Sequence, residues 1–235
     1  MIDALQVVKY SLRGLWEDLL LLVVLNLLWG LAAVLPIIPW LVLPTGDLMW
    51  LLAMSFLLLW PLPIISGALC YVTNQVSRGK AVTWGSFGTG LRRYWVKSLV
   101  VALINLVVLI LLVTNFRFYG AVLQGLWTNV ALIAWSILGA YWLLVQIFWF
   151  PMILELESEK VLLALRNALA MVLITPGFTL TLAVIFVLLA VLCIALTVPV
   201  LLLMASLFLL MANHATRSRL AFVQKEAYQP GIDQD

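Results

Sequence analysis

Charged residues divide the chain into long apolar runs, and the run over 176–212 decides most about the molecule: 37 residues pass without a charged side chain. A helix of that length reaches about 55 Å, against a bilayer hydrocarbon core of about 30 Å. The run is too long for one ordinary crossing and suits two short ones. Pro199 stands near its middle, where a missing backbone donor ends one helix and lets another begin. The pattern therefore predicts a tight transmembrane hairpin with spans near 177–196 and 199–213, a single kinked helix being the alternative. Apolar runs between charges predict four earlier spans, near 19–43, 48–72, 98–114 and 121–150, the last two joined at NFRFYG (115–120). The sum is an all-α, polytopic transmembrane helix bundle of six spans, five being possible, in a single domain with a polar tail over 214–235.

Two connectors carry helical patterns of their own. Residues 84–97 place Trp84, Phe87, Leu91, Tyr94 and Trp95 at roughly helical spacing, with Arg92, Arg93 and Lys97 between them. That order suits a short amphipathic helix in the membrane interface, although Gly85, Gly88 and Gly90 each cost about 1 kcal/mol in a helix. The second connector, 157–176, offers Ser158 as a cap, a stripe of Val161, Leu162, Leu165, Leu169 and Val172, and a stop at Thr175-Pro176. Both segments are read as interfacial anchors, with docking to a partner as the functional alternative.

Composition fits a membrane solvent: 66% of residues are hydrophobic, 10% are charged, and mean hydropathy is +1.17. The N-terminal stretch lacks a short apolar core with a small-residue cleavage site, so the first span is expected to serve as an uncleaved insertion signal. Lys and Arg set the orientation. Six spans with a cytoplasmic N-terminus put 12 of the 13 basic residues inside, leaving Arg117 outside, and both termini are then cytoplasmic. With five spans the division is 9 against 4. The net charge of +3 sits beside spans, where it meets anionic lipid; no soluble basic module offers a nucleic-acid face.

Little points to chemistry. Cys70 and Cys193 lie in apolar runs without a second ligand at metal spacing, and the lone His214 has no neighbouring Cys, Asp or Glu. No phosphate loop or catalytic motif is present, so neither a metal, a cofactor nor an enzymatic activity is expected. Every Asp, Glu, Lys and Arg can be placed at a span end or in a loop, which removes the usual mark of ion coupling. Glu155, with Glu157 and Glu159, comes nearest to an exception and is read as a solvated cluster. Asn26, Asn105, Asn129, Ser136 and Gln146 supply interhelical hydrogen bonds, or polar groups for a neutral substrate. On the fourth span Trp127, Trp135, Trp142 and Trp149 follow one another at 8, 7 and 7 residues, on one helix face. They are read as a packing seam with Gly139 opposite; the sharper reading is the aromatic wall of a cavity for a lipid or a sugar ring.

NLLW (26–29) with prolines 36 and 39, PLPIISGALCYVTNQVSRGK (61–80) and WGSF (84–87) resemble the N-terminal half of the YesL-like bacterial membrane proteins. RNAL (166–169), Thr175-Pro176 and the proline-split hairpin ending in Ser206 resemble the C-terminal half, so the likeness spans nearly the whole chain. The run Ile64-Ile65-Ser66-Gly67-Ala68 departs from that family's usual run of small residues. The resemblance implies a protein of the bacterial cytoplasmic membrane in a family without an assigned molecular function. It also implies a setting among carbohydrate-uptake systems, hence a non-enzymatic accessory of a sugar ABC importer or another membrane complex. A small transporter or a lipid- or sugar-binding membrane protein is the alternative.

The topology is directly testable. A reporter active only outside the cell stays silent when fused after Asp235 and is active when inserted within 44–47 or 115–120. Activity at the C-terminus instead leaves five spans and no returning hairpin.

Overall fold

The computed structural model describes residues 3–42, 47–122, 125–196 and 202–224, and among these the regular structure is entirely helical. Helix α1 (Ala4–Glu17) starts at a capping box in which the Asp3 carboxylate accepts from the first turn and the Gln6 side chain accepts from the Asp3 N–H. Its buried face is Ala4, Val7, Ser11 and Leu15. The first apolar segment follows as α2 (Leu19–Val34), a 3-10 turn (Leu35–Ile37) containing Pro36, and α3 (Ile38–Val42). The second is α4 (Leu48–Leu59), capped by Asp47, and α5 (Pro61–Ser77); the break falls at Trp60, ahead of Pro61. Then come α6 (Trp84–Val122), α7 (Leu126–Glu155), α8 (Val161–Ile174), α9 (Pro176–Leu196) and α10 (Met204–Gln224).

Five segments are long and apolar enough to cross a bilayer: Leu19–Val42, Leu48–Ser77, Trp84–Val122, Leu126–Glu155 and Pro176–Leu196. Their outward residues, such as Leu103 and Val107 on α6, Ile133 and Ile137 on α7, and Val187 and Val191 on α9, are exposed aliphatics that suit a lipid solvent. The chain is a multi-pass membrane helix bundle.

Several boundaries differ from those expected. The segment 84–97 is no separate interfacial helix: it is the first third of α6, which runs unbroken for 39 residues. The glycines there cost less than expected because Gly90 packs against α5, with Tyr71 and the Ala68 carbonyl where its side chain would be. The join at 115–120 is also helical, since it holds no proline and Asn115 turns its amide back onto the Leu111 carbonyl at 2.7 Å. In α8 the buried stripe is Ala164, Ala168, Met171 and Val172, while Leu162 is exposed; the small residues let α8 lie close to its neighbours. Lys160, rather than Ser158, occupies the N-cap position.

The last helix is the largest revision. Where a lipid-facing span over 199–213 and a free polar tail from 214 were expected, α10 is one helix from Met204 to Gln224. Ser206, Leu210, Met211, Asn213, Ala215, Thr216 and Arg219 on it are buried. It is solvated by protein on most sides, touching α1, α2, α5, α7 and α9, so it needs no apolar perimeter and is not among the five apolar segments. It nonetheless returns antiparallel to α9: the Arg219 guanidinium lies 3.9 Å from the Phe178 ring, and Phe186 stacks on Phe208 at 4.9 Å. The turn assigned to Pro199 lies outside the described residues.

Helices α5 and α6 approach most closely at Gly67, where an added Cβ would meet Ser98 Oγ at 1.9 Å and Phe150 at 2.8 Å; nothing lies within 4 Å of Gly88. Gly67→Ala should therefore destabilise the protein by roughly 1–3 kcal/mol through overpacking, whereas Gly88→Ala should not. Thermal melting of the two purified variants checks this, and equal melting temperatures would remove the close contact.

Candidate functional site

At one end of the bundle two helices carry the same local pattern, an Asn followed four residues later by an Arg: Asn74 and Arg78 where α5 ends, Asn213 and Arg217 in the middle of α10. Four residues is one helical turn, so each pair shares a face. Both faces converge on Glu155, the last residue of α7. Asn74 Nδ2 donates to Glu155 Oε1 at 2.7 Å, and Arg78 donates to Oε2 at 2.9 Å while its Nε donates to Asn74 Oδ1 at 3.0 Å. From the other side Arg217 Nε lies 4.0 Å from Glu155 Oε1, and its Nη1 donates to the Ser77 carbonyl at 2.5 Å. That carbonyl belongs to the last turn of α5, where helix acceptors lack intrahelical partners and a cation is favoured. Asn213 closes the arrangement, accepting from Asn74 Nδ2 at 3.2 Å and donating to Thr73 Oγ1 at 3.0 Å and the Cys70 carbonyl at 3.2 Å.

The expected solvated acid cluster thus divides. Glu155 side-chain exposure is 12%, and its partners are the chain's own arginines. Glu159 makes a second junction with α6, accepting from Arg93 at 2.5 Å, from Tyr94 Oη at 2.8 Å and from Lys97. Its φ of 46° is a left-handed conformation that strains a non-glycine residue, and the three donors hold it there. Burial pushes the Glu159 carboxyl up, but the hydrogen bonds from Lys97, Tyr94 and Arg93 outweigh it and leave the pKa below the usual glutamate value. Glu157 is exposed.

The proposed interfacial contact set separates in consequence. Trp84 and Trp95 are exposed, and so is Arg92. Phe87 packs against the core, while Arg93 and Lys97 are committed to Glu159. One face of the helix start is internal and the other is open.

The four tryptophans of α7 separate as well. Trp127 is exposed at the helix start. Trp149 is fully buried and donates to the Val161 carbonyl at 3.2 Å, fastening α8. Trp142 meets Trp149 edge-on at 5.6 Å and donates to Asn105 Oδ1 of α6 at 3.0 Å; Trp135 stacks on Tyr119 at 6.3 Å. Trp135 and Trp142 also line a cavity of about 380 Å³ with residues of α6 and α8. Gly139 faces Leu112 of α6 at ordinary contact distance. Seam and cavity wall are thus both present, and Trp142 belongs to both.

Of the remaining candidates, Cys70 and Cys193 are free, buried thiols, and His214 is buried 6.3 Å from the Tyr10 ring. Asn26 accepts from the Ser206 N–H at 3.1 Å, binding α2 to α10. Among the described residues no three His, Cys, Asp or Glu side chains are grouped to hold a metal ion. The Glu155 junction escaped the sequence reading because its members sit on three helices far apart in the chain. The repeated Asn-Xaa-Xaa-Xaa-Arg spacing is the signal that could have found it. Comparison with protein-family models, curated proteins and solved structures yields no match.

The junction has a measurable consequence. Glu155→Ala leaves Arg78 and Arg217 facing each other without a carboxylate, and should cost about 3 kcal/mol of stability. Adding Arg78→Ala should cost less than the two single changes together, with a coupling of about 1 kcal/mol or more. Additive melting shifts would show that the pair does not act as a unit.

Proposed function

We propose that this chain is a non-enzymatic accessory subunit of the bacterial cytoplasmic membrane that docks another membrane complex and serves carbohydrate uptake. The observation that carries the docking is the division of the α6 start. Arg93 and Lys97 are paired with Glu159 on one side of the helix, Arg93 while still exposed, and Trp84, Arg92 and Trp95 lie open on another. Two indole rings flanking a guanidinium form the kind of surface that concentrates binding energy in protein interfaces. The polar side chains of the spans support the same reading. Asn105 serves Val101 and Trp142, and Ser136 serves the Leu132 carbonyl, so these groups stabilise helices rather than mark a substrate path. The connection to sugar import comes from the resemblance to the YesL-like proteins.

A native pull-down in mild detergent, read by mass spectrometry, should recover subunits of a sugar importer with the parent chain. The triple variant Trp84→Ala, Arg92→Gln, Trp95→Ala should recover about 30-fold less, as loss of a 2 kcal/mol anchor implies. Undiminished recovery makes the face a linker, and sugar flux through proteoliposomes containing this chain alone makes the protein a transporter instead.

A further inference from the structure

We propose that the cavity between α6, α7 and α8 holds one acyl chain of an anionic phospholipid whose headgroup rests on Arg166. The inference stands apart from the docking reading, since it concerns other residues.

The cavity is bounded by Val108, Leu112, Trp135, Leu138, Trp142 and Leu169, and its volume of about 380 Å³ falls in the range of ligand sites. Three of its polar lining side chains, Trp142, Tyr141 and Asn115, donate elsewhere. Trp142 donates to Asn105, Tyr141 Oη donates to the Leu169 carbonyl at 2.7 Å, and the Asn115 amide donates to Leu111. What faces the space is hydrocarbon and ring. A sugar needs convergent donors and acceptors, and burying its hydroxyls here would cost several kcal/mol. An acyl chain needs none.

The headgroup position follows from the direction of α8. Val161 meets Trp149 and Leu169 meets Tyr141, so α8 runs antiparallel to α7, and its N-terminus points toward the end where Glu155 and the basic residues gather. Arg166 precedes Leu169 by three residues and so shares its face. Helical side chains lean toward their own N-terminus, which carries the guanidinium from the cavity toward that charged end. Arg166 is exposed, and among the described residues no carboxylate pairs with it. An exposed cation about one turn from Leu169, which lines the apolar cavity, is complementary to a phosphate attached to a hydrocarbon tail.

The test uses the full chain in nanodiscs of phosphatidylcholine doped with phosphatidylglycerol or phosphatidylcholine brominated on the acyl chain. Bromine quenches nearby indoles, and the difference between the parent and Trp135→Phe isolates the cavity signal. Brominated phosphatidylglycerol should quench that signal at about fivefold lower mole fraction than brominated phosphatidylcholine, the ratio expected from about one basic contact. Arg166→Gln should erase the preference and Arg166→Lys retain it. Leu112→Phe, which fills the cavity, should remove the quenching while leaving the melting temperature near that of the parent. Equal quenching by the two lipids, a preference that survives Arg166→Gln, or quenching indifferent to Leu112→Phe would each overturn the proposal.

Discussion

A carboxylate withdrawn from water must be met by charge and hydrogen bonds, and Glu155 meets that requirement by drawing three helices to one point. The end of α5 and the middle of α10 each bring an Asn and an Arg one turn apart, and α7 brings the acid. Neither arginine alone suffices. Arg78 and Asn74 occupy the carboxylate from one side, while Arg217 approaches from the other and donates from Nη1 to the Ser77 carbonyl at the α5 terminus. Desolvating ions in this way is weak evidence of net stability, because an apolar core of equal volume can be as stable. What the junction supplies is position: with the acid at the end of α7, the heights of α5 and α10 relative to it are set within a hydrogen-bond length.

That constraint explains the unusual character of α10. In lipid an apolar helix gains no hydrophobic driving force from leaving its neighbours' surroundings, so association depends on packing and on polar groups that only the correct partner satisfies. A central helix can then be rich in Ser, Thr, Asn and Arg, provided each group has a partner. Ser206 donates to the Leu22 carbonyl, Asn213 reaches α5, Thr216 bonds within its own helix, and the Arg219 guanidinium lies over the Phe178 ring. Close glycine contacts between α5 and α6 complete the assembly from the outer side. Large aliphatic residues are left mostly to the perimeter, where the solvent is itself hydrocarbon.

This division also explains which features the sequence disclosed. Lipid-facing spans are legible because their solvent demands long apolar runs, and all five such segments follow from run length. The breaks at Pro36 and Pro61 have an equally local cause, a missing backbone donor, but were not expected within the spans over 19–43 and 48–72. Boundaries set by tertiary contact were not legible. Nothing local in 84–97 announces that Gly90 is supported by Tyr71, so a break was expected where α6 continues. Hydropathy likewise assigns Arg217 and Arg219 to a tail, since it has no knowledge of Glu155 or Phe178. The tryptophans were correctly placed on α7, but spacing alone cannot tell Trp149, locked onto the α8 backbone, from Trp135 at the edge of a void.

The polar and apolar features of the molecule are therefore segregated along its length, and the segregation is itself informative. At the end where α7 finishes, Glu155 and Glu159 are answered by internal bases, and Glu157, Arg92 and Arg166 face outward. Away from that end, Tyr141 and Trp142 of the cavity wall donate to helix backbone and to Asn105. An ion or a sugar passing through this cavity would need polar groups facing it, and its lining presents hydrocarbon and rings. A tail of methylenes asks only for volume and for a charge near the membrane surface to hold its head. The arrangement of spent polar atoms around an open apolar space is thus better matched to a molecule of the bilayer than to a solute crossing it.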